Sequence, residues 1–348
     1  LPVSITVGVP AYSRPDELRE LIESVLACEL APDELLICED ASPERDAIRR
    51  IAYAHQRALE ERGCRLRYVE NEHNLGYDGN LRMLIAQASS DYLLLLGNDD
   101  QLYPGAIAET RRYIETNPDL CFISRTYRRF SGNRDRGVLN ETWLANADAV
   151  FHRDNSSPRL IFRLCGFVGG LIVKTRWARS LATSRYDGSL YYQYYLACHA
   201  YFGAGIGYIG KAIVAGRAEN PPLFGHAAAE AGIHVPGAYR PTARARMWRG
   251  VLDISADVER ALGVSLVDAV MKEMAGRQSF HIFEMMPAQG RRATLELFVE
   301  LKKLGLVRSP LPWLLASFVL TFGSAAALGF RTLRYLQFKI ERSLRIKC

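Results

Sequence analysis

Tyr92-Leu93-Leu94-Leu95-Leu96-Gly97-Asn98-Asp99-Asp100 places an unbroken apolar run directly before a glycine, an amide and two adjacent acids. A run of that length with almost no polar position on either face reads as a strand buried on both sides. Working back along the chain, the same kind of run recurs. Ile5-Thr6-Val7-Gly8-Val9 ends at Pro10, Leu35-Leu36-Ile37-Cys38 forms a second run, and Leu66-Arg67-Tyr68-Val69 a third. Helical patterns fill the gaps. Ser13-Arg14-Pro15-Asp16 supplies a Ser cap, a proline near the first helical position and an acid three residues on. Leu18, Leu21, Ile22, Val25 and Leu26 then follow at helical spacing. Ser42-Pro43 opens a helix predicted to run through Leu59, and a further helix is predicted from Leu81 to Ala88.

Apolar strands alternating with amphipathic helices imply an α/β fold: a mainly parallel sheet with helices on both faces. In such sheets ligands bind outside the carboxyl ends of the strands. Those ends read Pro10-Ala11-Tyr12, Glu39-Asp40-Ala41-Ser42, Asn71 to Asn74, and Gly97-Asn98-Asp99-Asp100, and three of the four are rich in acids or amides. No G-x-G-x-x-G loop follows the first strand and no Walker A sequence is present, which argues against a dinucleotide fold or a phosphate loop.

Adjacent carboxylates at Asp99 and Asp100 are hard oxygen ligands that suit Mg²⁺ or Mn²⁺ bridging to a diphosphate. The same residues would equally form an Asx turn that caps the helix after Pro104. Asp40 is placed to accept hydrogen bonds from a base or ribose, or to serve a helix N-terminus with Ser42. Asn74, Gly76 and Asn80 form a spaced amide and glycine set, although Asn74-Leu75-Gly76 alone is also a plain turn.

Taken together, four segments carry a family resemblance. Val7 to Pro15, Leu36 to Ser42, Asn74 to Leu81 and Asp91 to Asp100 resemble, in order and spacing, the motifs V-x-I-P-T-Y-N-R, I-V-V-D-D-x-S, N-x-G-x-x-x-N-x-G and G-D-Y-I-x-x-L-D-x-D-D of family 2 glycosyltransferases. The Asn74–Asn80 and Leu96–Leu102 segments are similar to the abequosyltransferase-like branch. The resemblance implies a GT-A fold with a helical C-terminal extension, and transfer of a hexose or deoxyhexose with inversion. The implied donor is a nucleotide-diphosphate sugar, and the acceptor a saccharide, lipid-linked or free, in bacterial surface polysaccharide (O-antigen) synthesis. It implies a nucleotide site of Pro10, Ala11, Tyr12, Arg14, Glu39, Asp40, Asn74, Asn80 and Asn98. Asp99 would be the metal ligand, with Asp100 beside it. Gly97 stands where the motif has its first acid, which keeps a non-catalytic, scaffold-like relative among the alternatives. Transfer to a polyprenyl phosphate is another.

Domains are predicted at 1–220, comprising a nucleotide half 1–125 and an acceptor half 126–220, and at 221–348, a helical region. Cys121 to Ser124 continues the sheet, Arg125 to Gly137 reads as loop or edge strand, and Gly166 to Val173 as a further strand. An inverting transferase needs a carboxylate to take the acceptor proton. Asp187 in Tyr186-Asp187-Gly188 is the candidate by sequence order, against a simple Asp-Gly turn. His199 falls on a predicted helix with Tyr191, Tyr192, Tyr194 and Tyr195.

The net charge of +6 is concentrated at one end. Arg331 to Cys348 holds six basic residues and one acid, so +5 of the charge belongs to that tail. The nearly neutral remainder offers no groove for a phosphate backbone, and no nucleic acid partner is expected. Seven scattered cysteines without a C-x-x-C pair fit a reducing compartment better than a disulfide framework. Leu1 to Pro10 lacks the n-region and h-region of a secretory signal. Residues 309–330 carry no charge, and their length could span a bilayer. A single crossing would put the basic tail outside, against the positive-inside tendency. The expectation is therefore a cytoplasmic protein held peripherally or monotopically on the inner face of the cell membrane, its tail on anionic lipid. An ordinary buried helix pair is the alternative.

Overall fold

The computed structural model describes residues 2–345, with side chains described for residues 2–336. The chain divides into two units, Leu1–Gly232 and Ile233–Cys348. The first opens with β1 (Ile5–Ala11), α1 (Pro15–Leu26), β2 (Glu34–Glu39), α2 (Arg45–Ala54), α3 (Gln56–Glu61), β3 (Arg65–Glu70), α4 (Gly76–Gln87) and β4 (Tyr92–Leu95). It continues with β5 (Gln101–Leu102), α5 (Ala106–Thr116), β6 (Phe122–Phe130), β7 (Val138–Thr142), β8 (Ala149–Phe151) and α6 (Leu160–Cys165). Then come β9 (Leu171–Lys174), α7 (Thr175–Ser180), α8 (Tyr192–Phe202) and β10 (Ile206–Arg217).

The main path of the sheet runs β3-β2-β1-β4-β9-β6-β10-β5, with β7 paired to β6 and β8 to β10. The first four strands pair in parallel. Antiparallel pairs enter only with β9, β5, β7 and β8, so the nucleotide half carries the parallel character. Alternation along β1 explains the two covered faces. Ile5, Val7 and Val9 join one core with Leu18, Leu21 and Ile22 of α1 and Ile48 of α2. Gly8, between them, faces Leu84 of α4 and Leu93 on the other side.

Local readings and structure differ in instructive places. α1 is capped by Arg14 in the left-handed region (φ 62°), not by Ser13, and no side chain caps it. The helix predicted from Ser42 to Leu59 breaks at His55 into α2 and α3. α4 begins at Gly76, five residues before the predicted Leu81, because remote carboxylates satisfy its first N–H groups. β6 runs on to Phe130, into the stretch read as loop or edge strand, whose remainder, 131–137, is loop. Conversely, the strand read from Gly166 is only Leu171–Lys174; Gly170 has φ +84°, where an extended strand cannot pass. The six described cysteines are free.

Residues 221–232, assigned by the sequence reading to the C-terminal region, pack with the first unit. The second unit is helical: α9 (Pro241–Leu262), α10 (Val267–Glu273), α11 (Ser279–Phe283), α12 (Gly290–Lys303), α13 (Pro310–Phe322) and α14 (Ala326–Arg345). The predicted apolar segment 309–330 is divided at Gly323 into α13 and the start of α14. Helical chain from Pro310 to Leu336 is long and apolar enough to cross a membrane by length and composition. Trp313, Leu314, Phe322 and Leu328 are exposed there, and Leu315 and Val319 are buried. Of the predicted basic tail 331–348, Arg331 and Arg334 are exposed, and Arg334 pairs with Glu284. Lys339, Arg342, Arg345 and Lys347 lie outside the residues whose side chains are described.

Candidate functional site at the carboxyl ends of the parallel strands

β1 sits between β2 and β4, and the chain leaves it first toward β2 and β3 before returning to β4. That reversal makes the gap between β1 and β4 the switch point at which doubly wound sheets bind ligands. The pairing shows the gap opening. β1 follows β2 as far as Ala11 opposite Glu39, but its ladder with β4 ends at Gly8 opposite Leu95. Pro10, which has no N–H to give, lies where β4 has already left.

The loops beyond the strands are held in unusual backbone conformations. Ser13, Arg14 and Ala41 have φ of 55°, 62° and 56°. Such outliers in non-glycine residues gather at functional sites more than elsewhere. Asn98, in the loop after β4, bridges the gap by donating from Nδ2 to the carbonyls of Ser13 (3.0 Å) and Tyr12 (3.3 Å).

Asp99 and Asp100 have different surroundings. Asp99 is partly exposed, and its Oδ2 accepts from Arg14 Nη1 at 2.6 Å and Asn220 Nδ2 at 2.9 Å. Among the described residues nothing is recorded donating to Oδ1. Asp100 is buried, and its Oδ1 accepts the Arg217 N–H at 3.2 Å. Burial, and then the Asp99 charge, push its carboxyl well above the usual range. The same carboxylate explains Gly97: a Cβ there would sit 2.7 Å from Asp100 Oδ2. The volume that the D-x-D-D pattern gives to its first acid is filled by its last.

Asp40 and Glu39 line the β2 end. Asp40 is buried, accepting from Asn71 Nδ2 (2.7 Å) and from the N–H groups of Leu75 (2.9 Å) and Gly76 (3.0 Å). It therefore serves the N-terminus of α4. Three bonds leave room for about one more on a carboxylate. Burial raises its carboxyl, against the opposing pull of those donors. Glu39 turns inward to Arg45 Nε (2.6 Å) and the N–H groups of Ala41 and Ser42. Asn80 donates to the Cys38 carbonyl at 3.0 Å, and Asn74 accepts from the Gly76 N–H at 2.9 Å. Tyr12 stacks on His226 with centroids 5.5 Å apart, and burial raises its hydroxyl pKa, with Asn74 opposing. Pro10 and Ala11 contribute backbone alone.

Several contributors had no signal in the sequence. Glu230 is buried and accepts from the N–H groups of Tyr77 (2.7 Å) and Gly225 (2.7 Å). Asn220 and Arg217 reach Asp99 and Asp100 from the end of β10. Each is more than a hundred residues from its partner at the β4 end or α4, so no local motif announces it.

Asp187 stands apart from these strand ends, on the loop before α8. Its Oδ2 accepts from Arg82 Nη2 of α4 at 2.5 Å, while Oδ1 is buried and has no partner among the described residues. Burial raises its carboxyl, with Arg82 opposing. His199 is on α8 as expected, and burial lowers its pKa. Tyr192 and Tyr194 are core residues.

A group of three or more His, Cys, Asp or Glu side chains able to hold a metal is absent among the described residues. The residues nonetheless fit a cation held in the manner usual for Mg²⁺, by one or two carboxylates plus substrate phosphates. Asp99 Oδ1 is the available oxygen.

Residues 6–174, just under half of the chain, match the family model described as glycosyl transferase family 2. An uncharacterized glycosyltransferase of Haemophilus influenzae is 27% identical over 119 residues, covering 34% of this chain. The matched segment spans 37% of that relative's length. These two matches support the family. The crystal structure of S. aureus TarS 1-349 in complex with UDP-GlcNAc is similar with a TM-score of 0.58 at 14% identity, covering 94% of this chain and 89% of that one. Its UDP complex gives 0.57 at 15%, covering 94% and 91%. At such identity the likeness shows the fold alone, a mixed α/β fold of GT-A type with a helical C-terminal region.

Proposed function

We propose that this chain is an inverting glycosyltransferase that binds a nucleotide-diphosphate sugar at the gap between β1 and β4. The observation that carries the reading is Asp99, partly exposed at the switch point with one oxygen unengaged and Arg14 on the other. Both groups complement a diphosphate–cation pair, Arg14 for the phosphates and Asp99 for the cation. Tyr12, Asp40 and Asn74 stand at the neighbouring strand ends, where the nucleoside would lie. When bound, Mg²⁺ or Mn²⁺ would neutralise charge developing on the departing diphosphate.

In the transfer, the acceptor hydroxyl oxygen forms a bond to the anomeric carbon as the bond from that carbon to the diphosphate oxygen breaks. The hydroxyl proton goes to Asp187, whose raised carboxyl suits general base work better than an ordinary exposed aspartate. The acceptor is proposed to be a lipid-linked saccharide of a surface polysaccharide, as in the abequosyltransferase-like branch. The exposed Trp313, Leu314, Phe322 and Leu328 support a cytoplasmic protein resting on the membrane face.

The test is release of nucleoside diphosphate from a panel of nucleotide sugars with Mn²⁺, beginning with UDP-GlcNAc because TarS has been crystallised with it. Turnover with at least one member is expected, and turnover at background with all of them would favour the scaffold reading. For the base, single-turnover transfer in Asp187→Asn is expected to collapse, and a near-native rate would remove Asp187 from the mechanism.

A further inference from the structure

Two charged side chains of α4 converge on the loop that carries Asp187. Asp78 is buried at 1% exposure. Its Oδ2 accepts the N–H of Leu190 at 2.8 Å and its Oδ1 the N–H of Tyr192 at 2.9 Å. One turn further along the same face, Arg82 donates to Asp187 Oδ2 at 2.5 Å. Tyr77, on the first turn of α4, adds a bond from its hydroxyl to Gln193 of α8 at 3.2 Å.

The loop itself is strained. Leu190 has φ +63° and Gly188 φ +83°. A Cβ at Gly188 would overlap the carbonyl oxygen of Ala229, so only glycine fits. A non-glycine residue in the left-handed region persists only where its surroundings fix it. The Leu190 N–H is fixed by Asp78.

An ordinary helix cap is a local side chain, whereas Asp78 reaches the start of α8 from more than a hundred residues away. Burial pushes its carboxyl up to about 7, with the Asp187 and Glu230 charges adding to the effect.

We propose that Asp78 and Arg82 are the positioning residues of Asp187. Asp78 fixes the backbone of the loop, and Arg82 holds Oδ2 and so sets the orientation of the carboxylate. This rests on the reading of Asp187 as the base. Because Asp40 accepts the Leu75 and Gly76 N–H groups at the start of α4, one helix ties the donor end of the site to the base. Arg82 lies six residues beyond Gly76, about 9 Å along the axis. Arg82 and Asp78 from α4 and Tyr192 from α8 are among the charged and titratable groups that act on Asp187.

The experiment uses the full chain and the variants Asp78→Asn, Arg82→Met and Arg82→Lys. Carboxyl NMR titration of Asp187 is expected to show its pKa rising by roughly one unit in Arg82→Met and returning in Arg82→Lys. Amide hydrogen exchange at Leu190 and Tyr192 is expected to accelerate about tenfold or more in Asp78→Asn, while amides of β1 and β2 keep their protection. With the nucleotide sugar that turns over, kcat should fall about 10- to 100-fold in Asp78→Asn with the donor KM within about twofold. An unshifted Asp187 titration, or unchanged exchange at Leu190 and Tyr192, would overturn the proposal without any activity being needed. A near-native rate in Asp187→Asn would sink the base reading. An inactive Asp187→Asn beside fully active Asp78→Asn and Arg82→Met would leave the base standing and end the positioning role.

Discussion

Arg14 and Asp99 meet across the gap where β1 and β4 part, with 2.6 Å between Nη1 and Oδ2 and 17% of each side chain exposed. In a pair this far buried, the cost of desolvating both charges offsets much of their attraction. The pair's weight lies in what it holds in place. A fixed guanidinium and a fixed carboxylate, one to each side of the switch point, suit a ligand that brings both phosphate oxygens and a cation.

Gly97→Asp restores the acid that the family motif has at this position and is expected to harm the protein. The new Cβ would start 2.7 Å from Asp100 Oδ2, and a second buried carboxylate would follow it. A loss of about 2–4 kcal/mol is expected in denaturant unfolding. Native stability together with tighter Mn²⁺ binding would show that Asp100 moves aside and that the glycine is a lost ligand.

Glu230→Ala removes the acceptor for the Tyr77 and Gly225 N–H groups. Leaving buried donors unpaired is expected to cost about 1–3 kcal/mol. Amide exchange in the first turn of α4 should accelerate more than in β1. Uniform acceleration would mean that Glu230 stabilises the fold generally and does not set where α4 begins.

Stability should fall as pH rises from about 4 toward 7. Burial raises the carboxyls of Asp40, Asp78 and Asp100, that of Asp78 to about 7. A raised acid binds its proton more tightly folded than unfolded, so its help is present at low pH and lost through the folded pKa. Asp91 and Glu109 act oppositely: hydrogen bonds from Ser4 and Lys211 lower them, and their contribution disappears as pH falls through their folded pKa values. Urea midpoints should therefore be higher near pH 5 than near pH 8, and Asp78→Asn should flatten that slope. An unchanged slope in the variant would mean that Asp78 is already ionised near pH 5.

The parallel half of the sheet was legible because its signals are local. Leu93 to Leu96 and Leu35 to Cys38 are apolar on both faces, and the acids and amides follow them directly. The start of α4 was not, because its caps come from Asp40 and Glu230, remote in sequence. Gly166 to Val173 looked like one strand, because nothing local shows that Gly170 takes φ +84° with Arg125 and Val214 where a Cβ would go. Asp99 and Asp100 look alike in sequence, and only packing makes one partly exposed and the other buried. Asn220 and Arg217 carry no motif at all, and their place at the site comes from the return of β10 to the β4 end.

Titration of UDP, GDP, CDP and dTDP into the full chain with Mn²⁺, for wild type and Asp99→Asn, tests whether the gap between β1 and β4 is a nucleotide-diphosphate site. At least one nucleoside diphosphate should bind the wild type, more weakly without the metal and about 100-fold more weakly in Asp99→Asn. Binding of none of them, or equal binding with the same metal dependence in Asp99→Asn, would contradict the account.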